Sequence, residues 1–147
     1  MTNSKKNFIT LNEVLDNAIL SEDKAAEFYH KMQSIVTKSE VVELLKILEK
    51  EERQHLKTLQ EYKRKQVNEN SYIQFTIGVF TFLPTYDQCR ELTIKEMLEI
   101  AIEIEEKTVA YYWKLSDLLS GDAKKLFNGL AAFEKTHTNK LKHLLLY

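Results

Sequence analysis

The chain has 147 residues, 44% hydrophobic and 29% charged, with a net charge of −1; these values suit one domain with a buried core and exclude a disordered chain. The near-neutral balance, with no basic block beyond Lys63-Arg64-Lys65 at a helix end, argues against nucleic-acid binding. Three glycines, the single proline Pro84 and the single cysteine Cys89 leave too little turn chemistry for a sheet-rich fold and exclude a disulfide framework or a four-cysteine metal site.

From the N-terminus, Met1 to Phe8 carries lysines but no apolar stretch behind them, so no signal peptide is expected. Helix 1 is predicted from about Leu11 to Val36. It opens on Thr10-Leu-Asn-Glu13, a capping box in which threonine and glutamate satisfy free N–H groups at a helix start. Its seam is Leu11, Leu15, Ala18, Glu22, Ala25, Tyr29, Met32 and Val36, with the alternating four–three spacing of a heptad stripe. After a short turn at Thr37-Lys38, helix 2 is predicted from about Glu40 to Val67, with Ser39 as its cap. Its seam is Val41, Leu45, Leu48, Glu52, His55, Leu59 and Tyr62.

Residues 68–92 then form a long crossover whose aromatic residues, Tyr72, Phe75, Phe80, Phe82 and Tyr86, predict a packed segment. Its most apolar run, Ile77 to Leu83, is far too short to span a membrane. Helix 3 is predicted from about Ile94 to Leu119. It opens on a second capping box, Thr93-Ile-Lys-Glu96, and carries the seam Ile94, Leu98, Ala101, Glu105, Thr108, Tyr112, Leu115 and Leu119. A turn at Ser120-Gly121 leads to helix 4, about Ala123 to Leu146, capped by Asp122, with the seam Ala123, Phe127, Leu130, Glu134, His137, Leu141 and Leu144. Short turns within each pair and one long connection between pairs predict an all-α, ferritin-like four-helix bundle. Residues 1–147 are read as a single domain with helix pairs at about 11–67 and 94–146.

The chain repeats itself. Helix 3 copies helix 1 with matched residues 83 apart, as Thr10 and Thr93 are, and Glu52-Arg-Gln-His55 recurs as Glu134-Lys-Thr-His137, 82 apart as His55 and His137 are. The unit is therefore a helix bearing a lone seam glutamate followed by a helix bearing E-x-x-H. Each seam is apolar except at Glu22, Glu52, His55, Glu105, Glu134, His137 and Thr108. Four unpartnered carboxylates in one core would each cost several kcal/mol or more, roughly, even after relaxation. Two divalent cations would balance them, and a glutamate and histidine three apart on a helix share a face and can serve one metal. A carboxylate-rich set with two imidazoles and no thiolate suits iron or manganese. His30 and His143 fall off the stripe and are expected on the surface, and Cys89, with no histidine or second cysteine nearby, reads as an incidental small apolar residue.

These motifs resemble the rubrerythrin branch of the ferritin-like superfamily from about Leu11 to Leu146. The likeness rests on E-x-x-A-x-x-F-Y at Glu22 to Tyr29, its copy E-x-x-T-x-x-Y-Y at Glu105 to Tyr112, and the two E-x-x-H motifs. The resemblance implies that Glu22, Glu52, His55, Glu105, Glu134 and His137 are the metal ligands, with Glu52 and Glu134 bridging two iron (or manganese) ions. It also implies that Tyr29 and Tyr112 hydrogen-bond ligand carboxylates and take part in catalysis. Two departures stand out. No four-cysteine rubredoxin part follows before Tyr147, and Thr108 occupies the position of a further metal-binding glutamate in two-domain rubrerythrins. The short, symmetric members of the branch are the nearer likeness.

The expected activity is that of a cytoplasmic di-iron oxidoreductase, a homodimer by analogy. It would reduce hydrogen peroxide or dioxygen with electrons from an external donor such as a rubredoxin-like protein. The rival expectations are a ferroxidase handling iron, a di-manganese catalase-like enzyme, and a bundle whose metals are purely structural.

Overall fold

The computed structural model describes residues 8–65, 72–74, 88 and 90–146. Four long helices dominate: α1 (Leu11–Ile35), α2 (Ser39–Lys65), α3 (Ile94–Leu118) and α4 (Gly121–Leu145). α1 packs on α2 and α3 on α4, which gives the two hairpins of the expected bundle. Both capping boxes form. In each, the N3 glutamate N–H donates to the threonine Oγ1 at 3.1 Å and the threonine N–H donates to the glutamate Oε1 at 2.9 Å, for Thr10–Glu13 and for Thr93–Glu96.

The caps expected at the other two helices are not used. Ser39 lies inside α2 with its hydroxyl toward Glu40 Oε1 at 3.4 Å, while the Lys38 carbonyl accepts from Val41 and Val42. The backbone of Lys38 thus opens the helix, one residue earlier than a serine cap at Ser39 would. Asp122 is likewise one residue inside α4, which begins at Gly121 after Ser120. Gly121 adopts φ 60, a left-handed conformation that glycine takes without a Cβ clash. Asp122 still places negative charge in the first turn, where the helix dipole favours it. At the other ends, α1 and α3 stop at Ile35 and Leu118, with Val36 and Leu119 already extended. The end of helix 2 near Val67 lies outside the described residues.

The all-α expectation needs one addition. Strand β1 (Phe8–Thr10) pairs antiparallel with β2 (Tyr72–Gln74), matching Phe8 with Gln74, Ile9 with Ile73 and Thr10 with Tyr72. Strands are read from alternation over about four to eight residues, and these are too short to show it. Of the expected aromatic crossover, Phe75, Phe80, Phe82, Tyr86 and Cys89 lie outside the described residues.

The core lies in two apolar layers. One gathers Leu11, Leu15 and Ala18 of α1 with Leu59, Tyr112, Leu115 and Phe127. The other gathers Phe28, Tyr29 and Met32 of α1 with Leu45, Leu48, Leu98, Ala101 and Leu141. Each fully buried leucine or phenylalanine contributes about 1.5–3 kcal/mol by leaving water. Every predicted seam position is buried except Tyr62, Ile94, Leu119 and Leu144 near helix ends, which are half-buried. In each helix the polar seam residues fall between the residues it gives to the two layers, so a polar slice divides the core.

Candidate metal centre

About three turns into α1, Glu22 points into this slice, and Glu105 does so from α3. The E-x-x-H spacing turns Glu52 with His55 inward from α2 and Glu134 with His137 inward from α4. The four glutamates are at most 1% exposed, His137 is fully buried and His55 is 7% exposed. All six sequence-predicted ligand residues therefore meet in one place. They fall into two overlapping groups, Glu22, Glu52, His55, Glu134 and Glu52, Glu105, Glu134, His137, each with its ligand-type atoms within 4.8 Å of one another. Glu52 and Glu134 belong to both.

Both imidazoles present Nδ1 to the cluster. His55 Nδ1 lies 2.9 Å from Glu134 Oε1 and 3.1 Å from Glu22 Oε1. His137 Nδ1 lies 3.0 Å from Glu105 Oε2 and 3.0 Å from Glu134 Oε2. Glu52 Oε1 is 3.3 Å from His55 Nδ1 and 3.5 Å from His137 Nδ1, yet it has no hydrogen-bond partner among the described residues. A buried carboxylate oxygen without a partner costs its full desolvation penalty, so the site presents an oxygen that a cation would satisfy and the protein alone does not.

The electrostatics point the same way. Burial, then repulsion from Glu134, pushes the Glu22 carboxyl up to about 8. Burial and neighbouring carboxylates also hold Glu52 and Glu105 well above the usual range. Glu134 goes the other way: burial opposes its charge, but hydrogen bonds with His137, His55, Glu105 and Glu52 keep it well below the usual range. Burial likewise disfavours the charged imidazoles, but hydrogen bonds to Glu134 and Glu22 raise His55 to about 9, and those to Glu105 and Glu134 raise His137 to about 10. The metal-free cluster thus survives by holding protons. Two divalent ions would replace those protons with four positive charges, matched to four carboxylates and two neutral imidazoles. The donor set fits such a pair.

Tyr29 and Tyr112 answer to different carboxylates. Glu105 is the carboxylate that acts most on Tyr29 and Glu22 the one that acts most on Tyr112, whose buried hydroxyl has no hydrogen-bond partner among the described residues. Burial, reinforced by these carboxylates, pushes both phenols well above their ordinary value, so each keeps its proton. Thr108 is buried but does not join the cluster: its hydroxyl donates back to the Ile104 carbonyl at 2.9 Å. His30 is exposed and takes part in a surface network in which Glu49 Oε1 lies 3.2 Å from His30 Nδ1 and 2.7 Å from Gln33 Nε2. His143 is exposed on α4.

Stripe reasoning missed Glu51. His137 Nε2 lies 2.9 Å from Glu51 Oε1, and Lys140 Nζ is 3.7 Å from the same oxygen. Glu51 sits beside the seam, where a glutamate ordinarily faces water. The repeat held a clue, since the residue that answers Glu51 in the second copy is Phe133. Phe133 makes a T-shaped contact with His55, with centroids 4.6 Å apart and an interplanar angle of 89°, and a longer one with His137, 5.6 Å apart at 87°.

A family model for rubrerythrin matches residues 13–145. A Thermotoga maritima protein described as a ferritin-like diiron-carboxylate protein is 25% identical, with a TM-score of 0.79 over 95% of this chain and 96% of that one. A hypothetical protein from Pyrococcus furiosus is 26% identical, with a TM-score of 0.72 over 94% of this chain and 91% of that one. No curated protein matches the sequence closely. Among the described residues, no helix is long and apolar enough to cross a membrane.

Proposed function

This chain belongs to the rubrerythrin family, and on that premise we propose that it is a di-iron oxidoreductase that reduces hydrogen peroxide. Dioxygen is the secondary oxidant, and an external donor such as a rubredoxin-like protein returns the electrons. The observation that carries the reading is the overlap of the two ligand groups, with Glu52 and Glu134 common to both. Glu22 and His55 would hold one ion, Glu105 and His137 the other, and Glu52 and Glu134 both. Iron is the proposed metal, and manganese is compatible with the same donors. A ferrous pair supplies the two electrons that, with two protons, turn one hydrogen peroxide into two waters.

The protein's own groups bind, shield and supply protons. The apolar layers on either side of the cluster keep bulk water from it. Tyr29, which keeps its proton and is acted on most by Glu105 among the carboxylates, carries that proton beside the ligands. Tyr112 keeps a proton in reserve next to Glu22. Thr108, its hydroxyl tied to its own helix, offers no seventh ligand, so the ions would rest on the six residues alone. A homodimer in the cytoplasm completes the proposal, by analogy with relatives of this type.

Stopped-flow oxidation of the anaerobically loaded diferrous protein tests the reading. Oxidation by peroxide should be at least tenfold faster than by dioxygen. Equal or slower reaction with peroxide overturns the peroxidase assignment, and iron uptake far beyond two ions per chain would point to a ferroxidase.

A further inference from the structure

The two halves of the cluster share their six polar residues but differ in what stands behind them. On the Glu105 side, His137 Nε2 donates to Glu51 at 2.9 Å. On the Glu22 side, the counterpart of Glu51 is Phe133, whose ring makes a T-shaped contact with His55 at 4.6 Å between centroids and a longer one with His137 at 5.6 Å, and the Tyr112 hydroxyl has no hydrogen-bond partner among the described residues. Exposure differs in the same sense: His137 is fully buried, His55 is 7% exposed, and Phe133 is 40% exposed.

An outer carboxylate on a ligating imidazole fixes its tautomer and ring orientation and raises its basicity; losing such a partner typically costs about 10–100-fold in metal affinity. A phenyl edge supplies neither the charge nor the acceptor. Building on the di-metal reading above, we infer that the two metal positions are unequal. The Glu105–His137 position fills first and retains its ion. The Glu22–His55 position, behind Phe133, is the one that exchanges. Glu51 acts as a positioning residue for the tight position.

Anaerobic titration of the full chain with cobalt(II), followed by calorimetry and visible absorption, reads this directly. Wild type should bind two ions in steps about 10–100-fold apart. His137→Ala should delete the tight step and His55→Ala the weak one. Glu51→Ala should weaken the tight step by about tenfold or more, and Glu51→Gln, which keeps an acceptor, should restore part of it. Phe133→Glu should strengthen the weak step and narrow the gap. Positions 51 and 133 both reach the surface, so these variants keep the fold, which metal-free melting curves check. Two equal steps in wild type, or a Glu51→Ala effect confined to the weak step, overturns the ranking and leaves the di-metal reading intact. Binding of fewer than two ions overturns both.

Discussion

Glu52 and Glu134 each face both imidazoles, and that shared position separates them from Glu22 and Glu105, which each face one. Removing a shared carboxylate should therefore empty both positions, while removing a terminal one should empty only its own. Metal analysis of purified variants should find two ions per chain in wild type, none in Glu52→Ala or Glu134→Ala, and one in Glu22→Ala. Single-ion loss in all three would refute the bridging role. These side chains were legible in the sequence because they interrupt otherwise apolar stripes, and a buried charge without a partner is too costly to be accidental. Glu51 was not legible by that criterion. It lies off the stripe, and only the fold shows that His137, from the other hairpin, reaches it. Which carboxylate acts most on Tyr29 and which on Tyr112 was hidden for a similar reason: seam spacing fixes which way a ring points, not what its hydroxyl meets.

Helices are the elements the sequence defines best here, because each seam keeps its four–three spacing for about six turns or more and two of the four starts carry a full capping box. Thr10 and Thr93 make the same two-bond arrangement, so Thr10→Ala and Thr93→Ala should each cost about 1 kcal/mol of stability. Urea unfolding of the two variants should show similar shifts in midpoint, and no loss from either would mean that the boxes are incidental. The starts of α2 and α4 were harder to read. Ser39 and Asp122 have the right chemistry for caps, but the backbone takes its first helical bonds elsewhere, at the Lys38 carbonyl and at the Ser120 carbonyl ahead of the left-handed Gly121. The strand pair was illegible, since β1 and β2 meet across more than sixty intervening residues, beyond the reach of any local pattern.

At the scale of the whole molecule, the protons held by the metal-free cluster tie its stability to pH. His55 and His137 rise from 6.5 to about 9 and about 10, and Glu22 rises from 4.5 to about 8. In each case the folded state keeps a proton that the unfolded chain releases. This contribution is therefore complete below the unfolded value and is lost as pH climbs through the folded one. The window runs from about pH 4.5 to 8 for Glu22 and from about 6.5 to 10 for the histidines. Metal-free protein should melt at a lower temperature at pH 9 than at pH 6, and divalent metal should raise the melting temperature most at the alkaline end, releasing protons as it binds. A metal-free melting temperature that does not change across that range would contradict the assignment. The overlap of the two ligand groups has a last consequence. Each hairpin supplies three residues of one group and lends a single carboxylate to the other, so two copies of one hairpin, related by a two-fold rotation, would complete the whole set. Such a pair would have to bear the same side chain at both symmetry-related places. A continuous chain is under no such obligation, and Glu51 and Phe133 mark where its two halves have diverged.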